Sequence, residues 1–524
     1  MSTLAPLEHA AIALVIALLV ALAAEKSRVT ALLPALVTAL AAASTAVLCA
    51  LLVSHARYPF HLDLMEGVVQ QHARRALHGE TLYPLASPEF VPLAYNALYY
   101  LLAAPFLLVV GDSLTTLRLV SIIGYVGAAA AIFCLVRGRT RSAWWGAMAV
   151  GLFFAAYAAM DAYLDTAHSD SWLLCTALWG TYLVDRESRR ARIAGVIVLV
   201  AAFWFKQHGA IFLGAALVYL TWREGVRGSA AYWLAAAIFG PLLYLYAPAS
   251  VLGPAFHFFT WHVPSGWSQF TSHTIPRVVL FVAETYPVLA IIALWGAYRA
   301  LRARTVGILE LMLGAAFLTA FMGSLDPGAS YNVFIPMGAF CIVSGTIELQ
   351  RWNERAPVWH GLRPGTVGLL LAFATLIHDP RAYWIPAKAG DSYADLRATL
   401  SALPGPVYAP GIGQFPDGDT LIPAAHWVAL DDIMRGPHRS AADSTLARTL
   451  LDGARQSGRE WFVLTNRPLA DIAPPVSDLA SSFVLVKDFG NRFETLRTLP
   501  RRFDQGFPRY LYRNTGDGAP SHGP

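Results

Sequence analysis

The chain has 524 residues, of which 56% are hydrophobic and 14% charged, with a formal net charge of +5 and a mean hydropathy of +0.48. Soluble domains average about 25% charged residues, so this composition excludes a soluble enzyme and places most of the chain in a bilayer. The small basic excess does not suit a nucleic-acid partner; it fits lysine and arginine gathered in cytoplasmic loops.

Residues 1–10 lack the basic stretch of a cleaved signal peptide, so the first apolar run reads as a retained extra span within 1–30. Apolar runs near spanning length occur at about 8–24, 31–53, 115–136, 142–160, 169–185, 192–205, 209–222, 229–247, 277–298, 305–322, 332–349 and 364–378. A bilayer core needs roughly 20 apolar residues per helix, so the 192–205 and 209–222 pieces are short. About twelve spans are expected from these runs. The fold class is mostly α, a polytopic transmembrane helical bundle over 31–378 with a small C-terminal α/β domain.

The basic loops at 137–141, 186–192, 223–227, 299–304 and 351–363 fall on one side, which the positive-inside rule makes the cytoplasm. The loop 54–114, the turn 161–168, the junction 206–208, the loop 248–276, the turn 323–331 and everything after 378 then share the periplasmic face of an inner membrane. Counting the apolar run 93–110 as a span would reverse every earlier basic loop, so it reads as an interfacial helix with Tyr95, Tyr99 and Tyr100 at headgroup level. After 378, strand-like pieces at 406–410, 461–465 and 483–487 flank a helical stretch at about 441–455. That outer α/β domain, 379–513, has no phosphate loop or nucleophile elbow and is assigned no chemistry; 514–524 reads as a disordered tail.

The outer face collects an unusual polar set. Asp63 and Glu66 open the first loop, Asp165, His168 and Asp170 sit at the second turn, Lys206, Gln207 and His208 form the third group, and Tyr331 and Asn332 the fourth. Intramembrane and juxtamembrane charges are costly unless they pair or act. A carboxylate there can take a proton from an attacking hydroxyl, and a lysine in a low-dielectric pocket can hold a phosphate as a point charge. The bland readings are a solvated helix start for Asp63 and Glu66, a capped loop for the second turn, and a snorkelling lysine for Lys206. Nine histidines fall between 54 and 276 on the same side, but no HExxH or fixed ligand spacing points to a metal. The four cysteines, Cys49, Cys134, Cys175 and Cys341, all lie in apolar runs and read as packing residues.

The order of a span, the acids, Ala73-Arg74-Arg75, Gly79, Leu82-Tyr83, Leu98-Tyr99-Tyr100 and then Leu117-Arg118-Leu119 resembles the first outer loop of GT-C fold glycosyltransferases, the group of protein O-mannosyltransferases and lipid A aminoarabinose transferases. Spacing to Ala73-Arg74 sets Glu66 where that family's leading acid lies, with Gly67 in place of the second acid and Asp63 as an extra carboxylate upstream. The second family acid corresponds to Asp165 or Asp170. The resemblance implies inverting transfer of a sugar from a polyprenyl-phosphate donor to a hydroxyl of a lipid, glycan or protein acceptor, with Glu66 favoured over Asp63 as general base. Gln207 and His208, beside Lys206, and Tyr331 and Asn332 are then substrate-binding residues. It calls for no cofactor, a divalent metal being the open alternative. The rival class is a multi-span transporter or lipid flippase, which would also carry intramembrane charges but shows paired broken helices at the midplane. Here the polar residues gather at one face, which favours the enzyme.

Overall fold

The computed structural model describes residues 32–326, 328–355, 362–412, 425–437, 443, 445–446, 449, 461–472, 474–500 and 506–514. The span expected at 8–24, the tail from 515 and most of the helix expected at 441–455 lie outside the described residues. Among the described residues, four helical runs are long and apolar enough to cross a membrane, Leu33–Ala56, Leu114–Thr140, Gly209–Leu245 and Tyr331–Arg355, and the pair Thr274–Thr285 and Pro287–Arg302, bent by 111°, adds up to a fifth. The chain is an integral membrane protein. The other apolar runs form shorter helices, so the expected count of about twelve is not reached by length alone.

Helices α1 (Leu33–Ala56), α2 (Glu66–Leu77), α3 (Leu98–Val110), α4 (Leu114–Thr140), α5 (Ala143–Ala155), α6 (Asp170–Val184), α7 (Arg189–Phe205) and α8 (Gly209–Ala237) follow in order. The run that continues α8 to Leu245 has 37 residues, which at about 1.5 Å per residue would far overshoot a bilayer core of roughly 30 Å. It breaks at Gly225, where φ is 73° and ψ 171°. Trp233 Nε1 donates to Thr221 Oγ1 at 2.8 Å across the break, and Trp204 Nε1, at the end of α7, donates to Phe239 O at 2.7 Å. The chain therefore reverses at Gly225 and returns to the level at which α8 began, matching the two separate runs read from the sequence.

Helix α3 has 13 residues, about 20 Å of rise, too little to cross. Its far end leaves Leu108, Val109 and Val110 exposed, as suits a helix in contact with lipid. The expectation for its tyrosines is corrected: Tyr99 and Tyr100 are buried. Tyr99 Oη donates to Leu117 O at 3.0 Å and Tyr100 stacks on His72 with centroids 4.3 Å apart, so these rings join α2, α3 and α4 instead of meeting headgroups.

Helices α9 (Thr274–Thr285), α10 (Pro287–Arg302), α11 (Ile308–Ser324), α12 (Ile335–Arg355) and α13 (Pro364–Ala374) complete the bundle. Arg139 pairs with Asp185 at 2.6 Å, Arg192 with Glu224, and Arg299 with Glu348 at 3.4 Å. These ion pairs lie at the ends of α4, α6, α10 and α12, the start of α7 and the break in α8, so the basic loops do gather at one end of the bundle.

Beyond α13 come α14 (Ala389–Ser401), α15 (Trp427–Met434) and four strands, β1 (Val407–Tyr408), β2 (Phe462–Thr465), β3 (Phe483–Asp488) and β4 (Tyr510–Asn514). The strand order is β1-β2-β4-β3, with β1 parallel to β2 and the other pairs antiparallel. Three of these strands overlap the apolar pieces read from the sequence; β4, which the sequence reading did not name, ends at Asn514, where the tail was expected to begin. Leu499 N donates to Leu62 O at 2.9 Å and Ala425 N to Pro88 O at 2.9 Å. A second apolar cluster, holding Val68, Tyr83, Phe256, Leu430 and Val463, runs through the first loop, the 252–263 segment and this C-terminal region. The C-terminal region is thus packed onto the first loop, at the end of the bundle away from the basic ion pairs.

Candidate active site

A cavity of about 570 Å³ opens at that end, lined by Asp63, Tyr95, Tyr163, Lys206, Gln207, His208, Trp267, Asn332 and, from the C-terminal region, Trp427, Asp431, Asp432 and Arg435. Five of the residues singled out in the sequence therefore meet on one surface although they span nearly 270 positions of chain.

The two acids of the first loop part company. Asp63 Oδ1 accepts from Met65 N at 2.8 Å, a short side-chain turn of the kind Asp favours, and Glu66 N donates to Asp63 O at 3.1 Å to begin α2. That turn leaves Asp63 on the cavity and drives Glu66 inward. Glu66 is fully buried; its Oε1 accepts from Arg118 Nε at 2.9 Å and Ala167 N at 3.0 Å, and its Oε2 from Arg118 Nη2 at 2.6 Å and Leu62 N at 2.7 Å. Burial by itself raises a carboxyl, but the Arg118 charge and these hydrogen bonds outweigh it and hold Glu66 below the usual carboxylate range. Arg118 also donates to the carbonyls of His55 at 3.0 Å and Tyr58 at 2.6 Å. The pair joins α1, α2, α4 and the 161–168 turn, and Glu66 has no face on the cavity.

Lys206 owes its place to a tight reversal. Helix α7 ends at Phe205, Lys206 turns extended with φ −156° and ψ 140°, and Gly209 N donates to Lys206 O at 2.8 Å. A Cβ on Gly209 would lie 2.2 Å from the Ala202 carbonyl carbon, so only glycine permits α8 to leave so close to α7. Lys206 Nζ donates to Asp170 Oδ1 at 2.8 Å and lies 5.4 Å from the centroid of the Tyr95 ring. Asp170 also pairs with His168 and accepts from Asn332 Nδ2 at 3.3 Å. The cation is therefore fixed at the cavity wall by a carboxylate standing behind it. Gln207 Nε2 donates to the carbonyls of Ala94 at 2.9 Å and Thr260 at 3.0 Å, which ties α3's approach and the 252–263 segment to the same junction.

Asp165 and Tyr331 lie elsewhere. Asp165 is completely buried against His55 Nδ1 at 2.6 Å and Tyr157 Oη at 3.0 Å, so of the two second-turn acids it is Asp170 that stands beside the cavity. Tyr331 stacks on Phe281 at 5.3 Å, with Arg277 over its ring at 5.8 Å, where it braces α9. Among the described residues no group of three or more His, Cys, Asp or Glu side chains is arranged to hold a metal ion.

The sequence reading gave the C-terminal region no chemistry, yet α15 forms one wall of the cavity. Trp427, Val428, Asp431, Asp432 and Arg435 line it, a spacing of one helix face. Asp432 pairs with Arg435, but burial, reinforced by Asp431 and Asp326, pushes its carboxyl up to about 7. The adjacent acids with an arginine three and four positions on were visible in the sequence; nothing there tied them to a loop more than 350 residues earlier.

No protein-family model and no curated protein matches the chain. Among solved structures the chain is similar to ArnT from Cupriavidus metallidurans bound to undecaprenyl phosphate, at 13% identity and a TM-score of 0.50, over 91% of this chain and 99% of that one. ArnT from the same organism in the apo state gives 14% identity and a TM-score of 0.49 over 90% and 97%. The arabinosyltransferase EmbB from Mycobacterium smegmatis gives 16% and 0.42 over 60% of this chain and 30% of that one. The chain has the GT-C fold, as the resemblance of its first outer loop implied.

Proposed function

We propose that this protein is a membrane glycosyltransferase that moves a sugar from a polyprenyl-phosphate carrier to an acceptor hydroxyl at the periplasmic face of the inner membrane, with Asp63 as general base and Lys206 as the phosphate contact. The observation that carries this reading is that the Asp63 carboxylate and the Lys206 ammonium share one cavity at the helix ends remote from the basic loops. ArnT, of the same fold, has been crystallised bound to undecaprenyl phosphate, and a lipid-phosphate ligand suits a cavity set beside membrane helices.

In the proposed step the acceptor oxygen bonds to the anomeric carbon as that carbon's bond to phosphate oxygen breaks. The hydroxyl proton passes to Asp63, and the electron pair of the broken bond stays on the departing polyprenyl phosphate. Attack opposite the leaving group inverts the anomeric centre. The donor is a phosphodiester and the product a monoester, so negative charge grows on the phosphate through the transition state, where a fixed cation gains most. Glu66, which the family spacing favours, has its lone pairs engaged by four donors and a depressed pKa, a poor state for accepting a proton. Asp63 is the first-loop acid with a face on the cavity, and it takes the role of base here.

The test is the Asp63→Asn variant, purified in lipid nanodiscs and supplied with sugar-loaded carrier. Transfer is expected to fall by roughly 10²–10⁴-fold, the range for a lost general base, while binding of undecaprenyl phosphate persists. Full transfer by this variant would remove Asp63 from the mechanism.

A further inference from the structure

The cavity has two unlike sides. Lys206, Gln207 and Asn332 come from the ends of membrane helices, whereas Trp427, Asp431 and Asp432 come from α15. Tyr95 stands between them: Lys206 lies 5.4 Å from its ring centroid, and its hydroxyl is within the fields of Asp432 and Arg435. The α15 wall therefore shares one cavity with the cation proposed to hold the phosphate, and a group esterified to that phosphate would fill the space between them.

The wall is seated firmly. Trp267 Nε1 donates to Asp432 O at 2.8 Å, and the Arg435 guanidinium lies 4.6 Å above the Trp267 ring. Arg435 Nε also reaches Asp326 at 3.7 Å and Asp431 at 3.8 Å. A Cβ on Gly436, whose φ is +93°, would meet Gly266 O at 2.2 Å. A helix so clamped can present its side chains in fixed places.

We infer that α15 is the sugar-recognising wall of the cavity, with Trp427 offering its face to the apolar side of a sugar ring and Asp431 accepting from its hydroxyls. This rests on the carrier-lipid reading above. The chemistry is that of carbohydrate recognition in general: ring C–H faces pack on large rigid aromatic surfaces, and ionised carboxylates make strong hydrogen bonds to hydroxyl donors. The membrane-helix side supplies a cation and amides suited to phosphate, so the two halves of a sugar phosphate fall to opposite walls.

The experiment compares binding of bare undecaprenyl phosphate with undecaprenyl phosphates carrying glucose, mannose or arabinose, using the full-length protein in nanodiscs. The native protein is expected to bind at least one sugar-bearing lipid about five-fold or more tighter than the bare carrier. Trp427→Ala and Asp431→Asn should each erase that difference while leaving bare-carrier binding within about two-fold, and Trp427→Phe should restore part of it. Equal weakening of both ligands, no change in either, or a native protein that does not discriminate among these lipids would overturn the assignment of the wall. Absence of any binding to bare undecaprenyl phosphate by the native protein would instead sink the carrier-lipid reading, and this proposal with it.

Discussion

Arg118 grips Glu66 through two parallel hydrogen bonds, Nε to Oε1 at 2.9 Å and Nη2 to Oε2 at 2.6 Å, and neither side chain is exposed. A buried pair of this kind is poor evidence for added stability, but removing one partner strands the other charge in low dielectric, which costs about 3–5 kcal/mol. Glu66→Ala is therefore expected to reduce the yield of folded, monodisperse protein and to lower the melting temperature, whereas Asp63→Asn should do neither. Size-exclusion profiles and thermal unfolding of the two variants check this. A stable, monodisperse Glu66→Ala protein that had lost only transfer would return Glu66 to the chemistry.

Lys206 is expected to act on affinity for the carrier's phosphate. A hydrogen bond to a charged group contributes about 1.5–3 kcal/mol, so Lys206→Met should weaken undecaprenyl phosphate binding by roughly 10- to 100-fold. The loss should be measured by titration against the bare lipid, because that separates phosphate contact from sugar contact. Asp170, whose carboxylate holds the ammonium at 2.8 Å, would be left with His168 and Asn332, so thermal unfolding of the variant accompanies the titration to separate lost folding from lost contact. Unchanged affinity in Lys206→Met would leave the lysine as a structural partner of Asp170 alone.

The α15 wall should respond to pH through Asp432. Its carboxyl is raised from 3.8 to about 7 by burial first, opposed by Arg435 and aided by Asp431 and Asp326. A carboxyl raised on folding binds more protons in the folded state than in the unfolded one between those two values. Its charge thus costs stability above about 7, and that cost fades as the pH falls through about 7 and is gone below about 4. Between pH 5 and pH 8 the native protein should lose at least about 1 kcal/mol of stability relative to Asp432→Asn. Thermal unfolding across that window tests the sign; a native protein that gains stability between pH 5 and pH 8 relative to Asp432→Asn would contradict it.

The fold and the membrane side of the site were legible in the sequence for the same reason. Bilayer spans impose long apolar runs, so the polar residues that interrupt them stand out, and Lys206 between Phe203-Trp204-Phe205 and Gly209 could be read as a helix junction. What periodicity does not carry is direction. Asp63 and Glu66 are three positions apart, yet a side-chain turn at Met65 aims one at the cavity and the other at Arg118. Arg118 enters the sequence reading only within the Leu117-Arg118-Leu119 piece of the family resemblance, because its partner lies 52 positions away. The sequence reading names no helix at 427–434 and gives its acids no role, because only the packing of the C-terminal region on the first loop brings them to the cavity that Lys206 lines.

The orientation of the cavity admits a labelling test, and the structure chooses the positions. Cysteine at Gly67 or Gly209 would be a poor probe, since a Cβ would fall 1.9 Å from Ile412 O in the first case and 2.2 Å from the Ala202 carbonyl carbon in the second. Ser268 is exposed and lines the cavity, and Gly138, in the basic last turn of α4, has open space where its Cβ would go. In a background lacking the four native cysteines, Ser268→Cys should react in intact cells with a maleimide that crosses the outer but not the inner membrane. Gly138→Cys should react only after the inner membrane is permeabilised. On the orientation proposed above, Arg137, Arg139 and Arg141 face the cytoplasm and the cavity sits at the other end of the helices, so the two labels are expected to report opposite sides. Labelling of Gly138→Cys from outside would invert the protein, and with it the compartment in which the acceptor is met.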